Sequence, residues 1–402
     1  MSKNKKLVPK RRFKEFQNSD AWEQRELGEV VQITMGQSPL GSNYTENPSD
    51  YILVQGNADM KNGKVFPRIW TTQVTKTAEP DDIILSVRAP VGDVGKTDYN
   101  VVLGRGVAGI KGNEFIYQLL SKMKSDSYWG KYSTGSTFDS INSNDLKEAN
   151  ICIPSTNEQV QIGSFFRNLD QTIAFQQRKL EKMKSMKSAY LSEMFPAEGE
   201  RKPKRRFPGF TDDWEQCELG DVGKTQSGTG FPDSEQGGKI GVPFFKVSDM
   251  NNPGNEHEML NSNNYVTTEQ VSRRKWKPID TVPAVIFAKV GAAIMLDRKR
   301  LVRESFLIDN NTMAYVFDNS WDVDFGKTLF ETIPLPKYAQ VGALPSYNGT
   351  DIETIKVLLP NKEEQNKIGI FFYQLDQTIA FQQQKLEKLQ NIKKAYLNEM
   401  FI

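Results

Sequence analysis

Apolar side chains recur at alternating steps of four and three along two stretches of this 402-residue chain. One stripe runs Ile162, Phe166, Leu169, Ile173, Gln176, Leu180, Met183, Lys187, Tyr190, Met194. The other runs Ile368, Phe372, Leu375, Ile379, Gln382, Leu386, Leu389, Lys393, Tyr396, Met400. Such steps return to one face of a helix, and eight of ten positions in each stripe are apolar. The spacing predicts two long helices joined along a coiled-coil seam, with two helices packed on separate globules as the plainer alternative. Gln176, Lys187, Gln382 and Lys393 interrupt the seam and would set its register at some cost in stability. Ser155 with Glu158, and Asn361 with Glu364, each following a proline, have the spacing of helix capping boxes. Pro196 ends the first helix.

The two helices are also copies of one sequence. Of the 39 positions from Asn157 to Phe195, 26 recur unchanged 206 residues later. A second marker opens each copy: Pro9-Lys10-Arg11-Arg12-Phe13, then Trp22-Glu23-Gln24 and Glu26-Leu27-Gly28, return from Pro203, Trp214 and Glu218. Two copies of one unit in one chain predict near two-fold internal symmetry, which suits a partner such as duplex DNA. A helix of about 38 residues spans about 57 Å, on the scale of one to two turns of B-DNA. An antiparallel pair would then act as a rigid spacer between two globules.

Between the marked ends the copies diverge. The stretches from about 31 to 140 and from about 225 to 346 share only short echoes, such as Asp59-Met60 and Asp249-Met250. Both read as mixed α/β, with short β-branched runs broken by Gly, Asn and Asp turns. Asp82 to Arg88 reads as a strand turned by Ala89-Pro90-Val91-Gly92, followed by Gly104-Arg105-Gly106. Thr281 to Lys289 reads as its counterpart, followed by Asp309-Asn310-Asn311. A basic residue at a strand end beside a tight turn can approach a phosphate or base edge; the plainer reading leaves it merely exposed. On this basis Arg88 and Arg105 are candidate DNA-binding residues of the first middle, and Lys289 and Asn311 those of the second. Ser136 joins them from the Gly135-Ser136-Thr137 turn, which could bind a phosphate, and Gln37 is the remaining candidate of the first middle.

Composition sets bounds. Hydrophobic content of 38% with 25% charge fits globular domains. No apolar run nears 18 residues, and two cysteines, Cys152 and Cys217, fit a reducing cytoplasm. The net charge of +2 gives no case for nucleic-acid binding. Basic runs at Lys10–Arg12, Arg201–Arg206, Arg273–Lys277 and Arg298–Arg303 would form a phosphate footprint if they shared a face, or solvated loops if they did not. Catalytic chemistry is hard to place. His257 is the single histidine and reads as a lone surface residue; histidine triads and His-rich metal sites would need it. Gly92 to Thr97 and Gly220 to Thr225 resemble the end of a phosphate-binding loop, but Pro90 and Glu218 stand where its first glycine is needed. No amino-methyltransferase tetrapeptide occurs.

Taken in order, these words resemble the specificity subunits of Type I restriction-modification systems. The features that carry the resemblance are the duplicated helices at 158–170 and 364–376 and the Trp-Glu-Gln words at 22–28 and 214–220. The Leu-Ser-Val-Arg-Ala-Pro-Val-Gly run at 85–92 and the approaches at 142–154 and 348–360 add to them. The resemblance implies an α+β fold with two mixed α/β target-recognition domains, separated by an antiparallel coiled coil of two long helices. The expected bounds are 1–154 and 197–360 for the domains, 155–196 and 361–402 for the helices. It implies a non-catalytic, cytoplasmic protein that reads a bipartite asymmetric site on double-stranded DNA. Two methylation subunits and restriction subunits would dock on it, carrying S-adenosylmethionine, ATP and Mg2+, with no cofactor in this chain and no membrane. Phe165, Phe166, Leu169, Ile173 and Leu180, with Phe371, Phe372, Leu375, Ile379 and Leu386, would hold the seam and its partner-facing surface. The alternatives are a coiled-coil scaffold, an architectural DNA binder outside a restriction system, or a self-contained nuclease or methyltransferase.

Overall fold

The computed structural model describes residues 7–132, 140–340, 342 and 344–402. The two stripes become two unbroken 39-residue helices, Thr156–Met194 and Lys362–Met400. Packing divides the chain inside these helices and not at their ends: residues 1–178 with 384–402 form one compact unit, and 179–383 the other. Each helix gives one half to either unit because each half joins a different hydrophobic core.

In the first unit β1 (Glu23–Glu26) pairs antiparallel with β6 (Asn150–Ile153), Glu23 opposite Ile153. The main sheet is built on β2 (Gln32–Met35), β3 (Ile83–Ser86) and β5 (Val107–Lys111), with Gly109 of β5 facing Thr34 on one side and Ile84 on the other. All four residues of β3 are buried, as a short continuous apolar run predicts. β4 (Val101–Leu103) belongs to a second sheet, parallel to Tyr51–Val54. α1 (Glu114–Ser125), capped by Asn113, packs against the first long helix, α2. Trp22 is buried edge-on against Phe115 at 5.6 Å, and Phe115 stacks at 5.0 Å on Phe401 from the last residues of the chain.

The second unit repeats this frame. β7 (Glu215–Glu218) pairs with β13 (Lys356–Leu359), Glu215 opposite Leu359. β8 (Gly223–Ser227), β9 (Ala284–Ala288) and β12 (Thr312–Phe317) take the places of β2, β3 and β5, with Tyr315 facing both Thr225 and Val285. β10 (Lys299–Val302) extends the sheet beyond β9, and β11 (Leu307–Ile308) runs parallel to Val242–Phe245. α3 (Val323–Thr332) packs on the second long helix, α4. Trp214 meets Phe325 at 5.8 Å, and Phe325 stacks on Phe195 at 5.6 Å. Middles that share almost no sequence therefore share a fold.

Within each unit α2 and α4 run antiparallel. In the first, Phe165 meets Tyr396 at 5.1 Å and Asp170 pairs with Lys393 at 2.6 Å. In the second, the 206-shifted partners do the same: Phe371 meets Tyr190 at 5.1 Å and Asp376 pairs with Lys187 at 2.6 Å. Every stripe position is buried or half-buried. Of the ten seam residues named from the sequence, Phe166, Leu180, Phe372, Ile379 and Leu386 are buried and the other five half-buried. Gly163 and Gly369 permit the close approach of the short helices. A Cβ on Gly163 would lie 3.0 Å from the Phe115 nitrogen, and one on Gly369 2.7 Å from that of Phe325.

Of the two capping boxes, only half of the second forms. Asn361 Oδ1 accepts from the Glu364 amide at 3.0 Å. The carboxylates of Glu158 and Glu364 do not turn back to the helix ends; each accepts two hydrogen bonds from one arginine, Arg12 and Arg206 respectively. A planar guanidinium offers two charge-assisted bonds where the backbone offers one neutral donor. Both glutamates are wholly buried, so each copy is locked to its leading arm by a buried ion pair.

Candidate nucleic-acid interface

The frame sets up a rim at the end of each main sheet. In the first unit β3 ends at Ser86, and the Val87 amide donates to Gly106 O at 2.9 Å. Ser86 Oγ donates to the Arg88 carbonyl at 2.9 Å, which fixes the backbone where the Arg88 side chain leaves the sheet. Arg105 stands in the tight connection between β4 and β5, its amide bonded to Ser38 Oγ at 3.0 Å. The turn after β2 is pressed against this connection. Gly36 donates to Val107 O, and a Cβ there would fall 2.0 Å from Gly104 O. A cleft of about 390 Å³ opens between these turns, lined by Arg88, Arg105, Ser38, Ser86, Gln55 and Asn57 among others. Both arginines are exposed into it, and among the described residues no carboxylate pairs with either.

Two of the sequence candidates thus meet in one cleft. Gln37 is exposed beside it but does not line it; its backbone bonds Leu103 O and Thr75 Oγ1, and the neighbouring Ser38 faces the cleft. Ser136 lies outside the described residues. Gln55 and Asn57 were missed. Their loop is shaped by Asp59, a buried carboxylate that accepts from the Gln55 amide at 2.8 Å and the Gly56 amide at 3.3 Å. The signal was the Asp59-Met60 echo: in the second unit Asp249 accepts from the Lys246 amide at 2.8 Å.

The second rim is built on the same backbone with other side chains. The Lys289 amide donates to Asn311 O at 2.7 Å, the bond that Val87 makes to Gly106. Lys289 is therefore the counterpart of Val87, and Arg88 corresponds to Val290. The sequence parallel between Arg88 and Lys289 slips by one residue, and one residue along a strand reverses the face. Lys289 accordingly turns to Ser227 Oγ, 3.1 Å away, half-buried. Asn311 stands at the place of Gly106 and bonds Asp309 at 3.3 Å; Asn310 holds the position of Arg105. Gly228 repeats Gly36, since a Cβ there would lie 1.8 Å from Asp309 O. A cleft of about 240 Å³ forms here too, lined by Lys275, Lys277, Trp276, Thr229 and Gln226 among others. Lys275 reaches it from a left-handed backbone position closing the helix Thr268–Arg274.

Most of the basic runs do not form a phosphate footprint, because acidic partners inside the same unit take them up. Arg11 pairs with Glu399 and Arg205 with Glu193, while Arg12 and Arg206 hold the buried glutamates. Arg273 and Arg274 both grip Glu235, Lys299 bonds Asp297 and Ile333 O, and Arg303 pairs with Asp324 and Glu258. Within the third run, Lys275 and Lys277 remain to line the cleft.

His257 is not a lone surface histidine. Its Nδ1 lies 3.8 Å from Asp376 in a cluster with Glu331, a set whose ligand atoms are close enough to hold a metal. Two ammonium groups already sit in that cluster. Lys187 and Lys327 each lie within 2.6 Å of both carboxylates. Burial alone would raise the Asp376 and Glu331 carboxyls, but Lys327 and Lys187 hold both below their usual values. Burial, with Lys327 beside it, lowers His257. The arrangement is a neutralised ion cluster at the foot of α3, and its cations oppose a metal.

The chain matches the Type I restriction modification DNA specificity domain twice, over residues 19–185 and 211–391. It belongs to that family. The MjaX type I restriction enzyme specificity subunit of Methanocaldococcus jannaschii is 33% identical over 205 residues, 47% of this chain and 48% of its own length. The chain thus spans about half the length of that relative. The MjaIX specificity subunit of the same organism is 24% identical over 340 residues, 79% of this chain and 76% of that one. Among solved structures, the S subunit of the type I restriction-modification system from M. genitalium shares the fold. Its TM-score is 0.67 at 16% identity, over 98% of this chain and 99% of that one. The two units described above are thus two specificity domains, each with a rim at its sheet end. Among the described residues no helix is long and apolar enough to cross a membrane.

Proposed function

We propose that this chain is the specificity subunit of a Type I restriction-modification complex. It reads a split, asymmetric sequence on double-stranded DNA, one half through each domain, and leaves all bond chemistry to its partners. The observation that carries the reading is the pairing of a repeated frame with unlike rims: Arg88 and Arg105 in one domain stand where Val290 and Asn310 stand in the other. Two methylation subunits and the restriction subunits dock on the helices, in the cytoplasm. Phe175 and Phe381, shifted by 206 residues, are 57% and 63% exposed on them. A large aromatic held in water at the same place twice fits a partner that binds twice. S-adenosylmethionine, ATP and Mg2+ belong to those partners.

The test is the methylome of a host carrying this chain with its partner subunits. Exchanging residues 31–140 for those of another specificity chain changes one half of the methylated motif and leaves the other intact. A change in both halves, or in neither, contradicts the proposal.

A further inference from the structure

The geometry points to guanine as the base that the first domain's cleft selects, with Arg88 and Arg105 as its readers; this rests on the proposed function. Three observations converge. Both guanidinium groups enter one cleft, with Gln55 and Ser38 beside them and no paired carboxylate among the described residues. The backbone beneath them is fixed. Ser86 Oγ bonds the Arg88 carbonyl, Ser38 Oγ bonds the Arg105 amide, and Gly36 abuts Gly104 without room for a methyl group. A fork held on a rigid base suits a bidentate contact to guanine O6 and N7.

The third observation decides between base and phosphate. Phosphate contacts carry no sequence information, so a shared frame gripping the backbone alike in both halves would keep its cations in both copies. The cations are not kept at these two places, and the lysines of the second cleft, Lys275 and Lys277, come from another segment. Val290 replaces Arg88 and Asn310 replaces Arg105, although the amide bonds that define these places are the same: Val87 to Gly106 O and Lys289 to Asn311 O, Gly104 to Val54 O and Asp309 to Phe245 O. Residues that change while their mounting stays are readers of different bases.

The experiment uses the full chain assembled with its methylation subunits and a randomised duplex DNA library, sequencing what is bound. The wild type selects a two-part motif whose first-domain half contains a G·C pair. Arg88→Ala and Arg105→Ala each relax preference at a G·C position of that half by roughly 5- to 150-fold and leave the other half unchanged. Arg105→Asn, which installs the second domain's residue, shifts that position from guanine towards adenine. If the arginines hold phosphates instead, truncation weakens all sequences alike and lowers the salt slope by about one, with the motif intact. That result, or a first half without any G·C pair, overturns the inference and leaves the proposed function standing. A wild type that selects no two-part motif overturns both.

Discussion

Beneath the two rims the domains are closely alike. Trp22 and Trp214 fill corresponding aromatic clusters, Glu158 and Glu364 form corresponding buried pairs, and Asp59 and Asp249 tie similar loops. At the rim they differ at every position that faces the cleft from β3 and from the β4–β5 connection. At the foot of the helices they differ again. Asp376 sits in a buried cluster with two lysines, Glu331 and His257, while its counterpart Asp170 is 31% exposed and bonds Lys393 and Gln118. On the proposed function, folding energy resides in the frame and recognition at the rim, so one can vary without the other. The helix foot is where the two domains are expected to diverge in stability.

The largest expected effect tests whether the frame is truly repeated. Glu158→Ala strands Arg12, whose side chain is 6% exposed, and costs about 3–5 kcal/mol; Glu364→Ala strands Arg206 at a similar cost. Denaturant titration checks both, and unequal losses would break the equivalence. Next comes the helix foot. Asp376→Asn removes the charge facing two buried ammonium groups and costs about 3 kcal/mol, whereas Asp170→Asn, at a more exposed pair, costs about 1 kcal/mol or less.

The same contrast governs acid behaviour. Asp376, Glu331 and His257 all have lowered folded values, so the unfolded chain binds more protons as pH falls. His257 contributes stability above about 6.5, lost as pH falls through its lower folded value. The carboxylates contribute stability above about 4, lost as pH falls further. Lys327, which Glu331 and Asp376 raise against burial, loses its contribution only in alkali. Hydrogen exchange across falling pH should show residues 179–383 opening before the first domain. The smallest stability effect is at the rim. Arg88→Ala and Arg105→Ala change unfolding by no more than about 0.5 kcal/mol, because both side chains stand in water.

What the sequence disclosed follows from period and repetition. A step of four and three sustained over five turns of the pattern left no room for another element, and the 206-residue echo gave the antiparallel pairing its symmetry. The Arg88 and Arg105 cleft was legible because a strand end and a glycine-flanked turn are local features. The rest depended on contacts distant in sequence. Arg12 looked like surface charge because its partner, Glu158, lies 146 residues away. Lys289 looked equivalent to Arg88 because both follow an apolar strand, and only the β-ladder shows the one-residue slip. Gln55 and Asn57 had no local pattern, and His257 acquired its partners from α3 and α4.

The most direct measurement places the first rim in both frames, by replacing residues 225–346 with residues 31–140, and sequences the motif bound or methylated by the assembled complex. The account predicts a motif in which the first half-site appears twice, with the second half gone. An unchanged asymmetric motif would contradict the claim that each rim reads its own half.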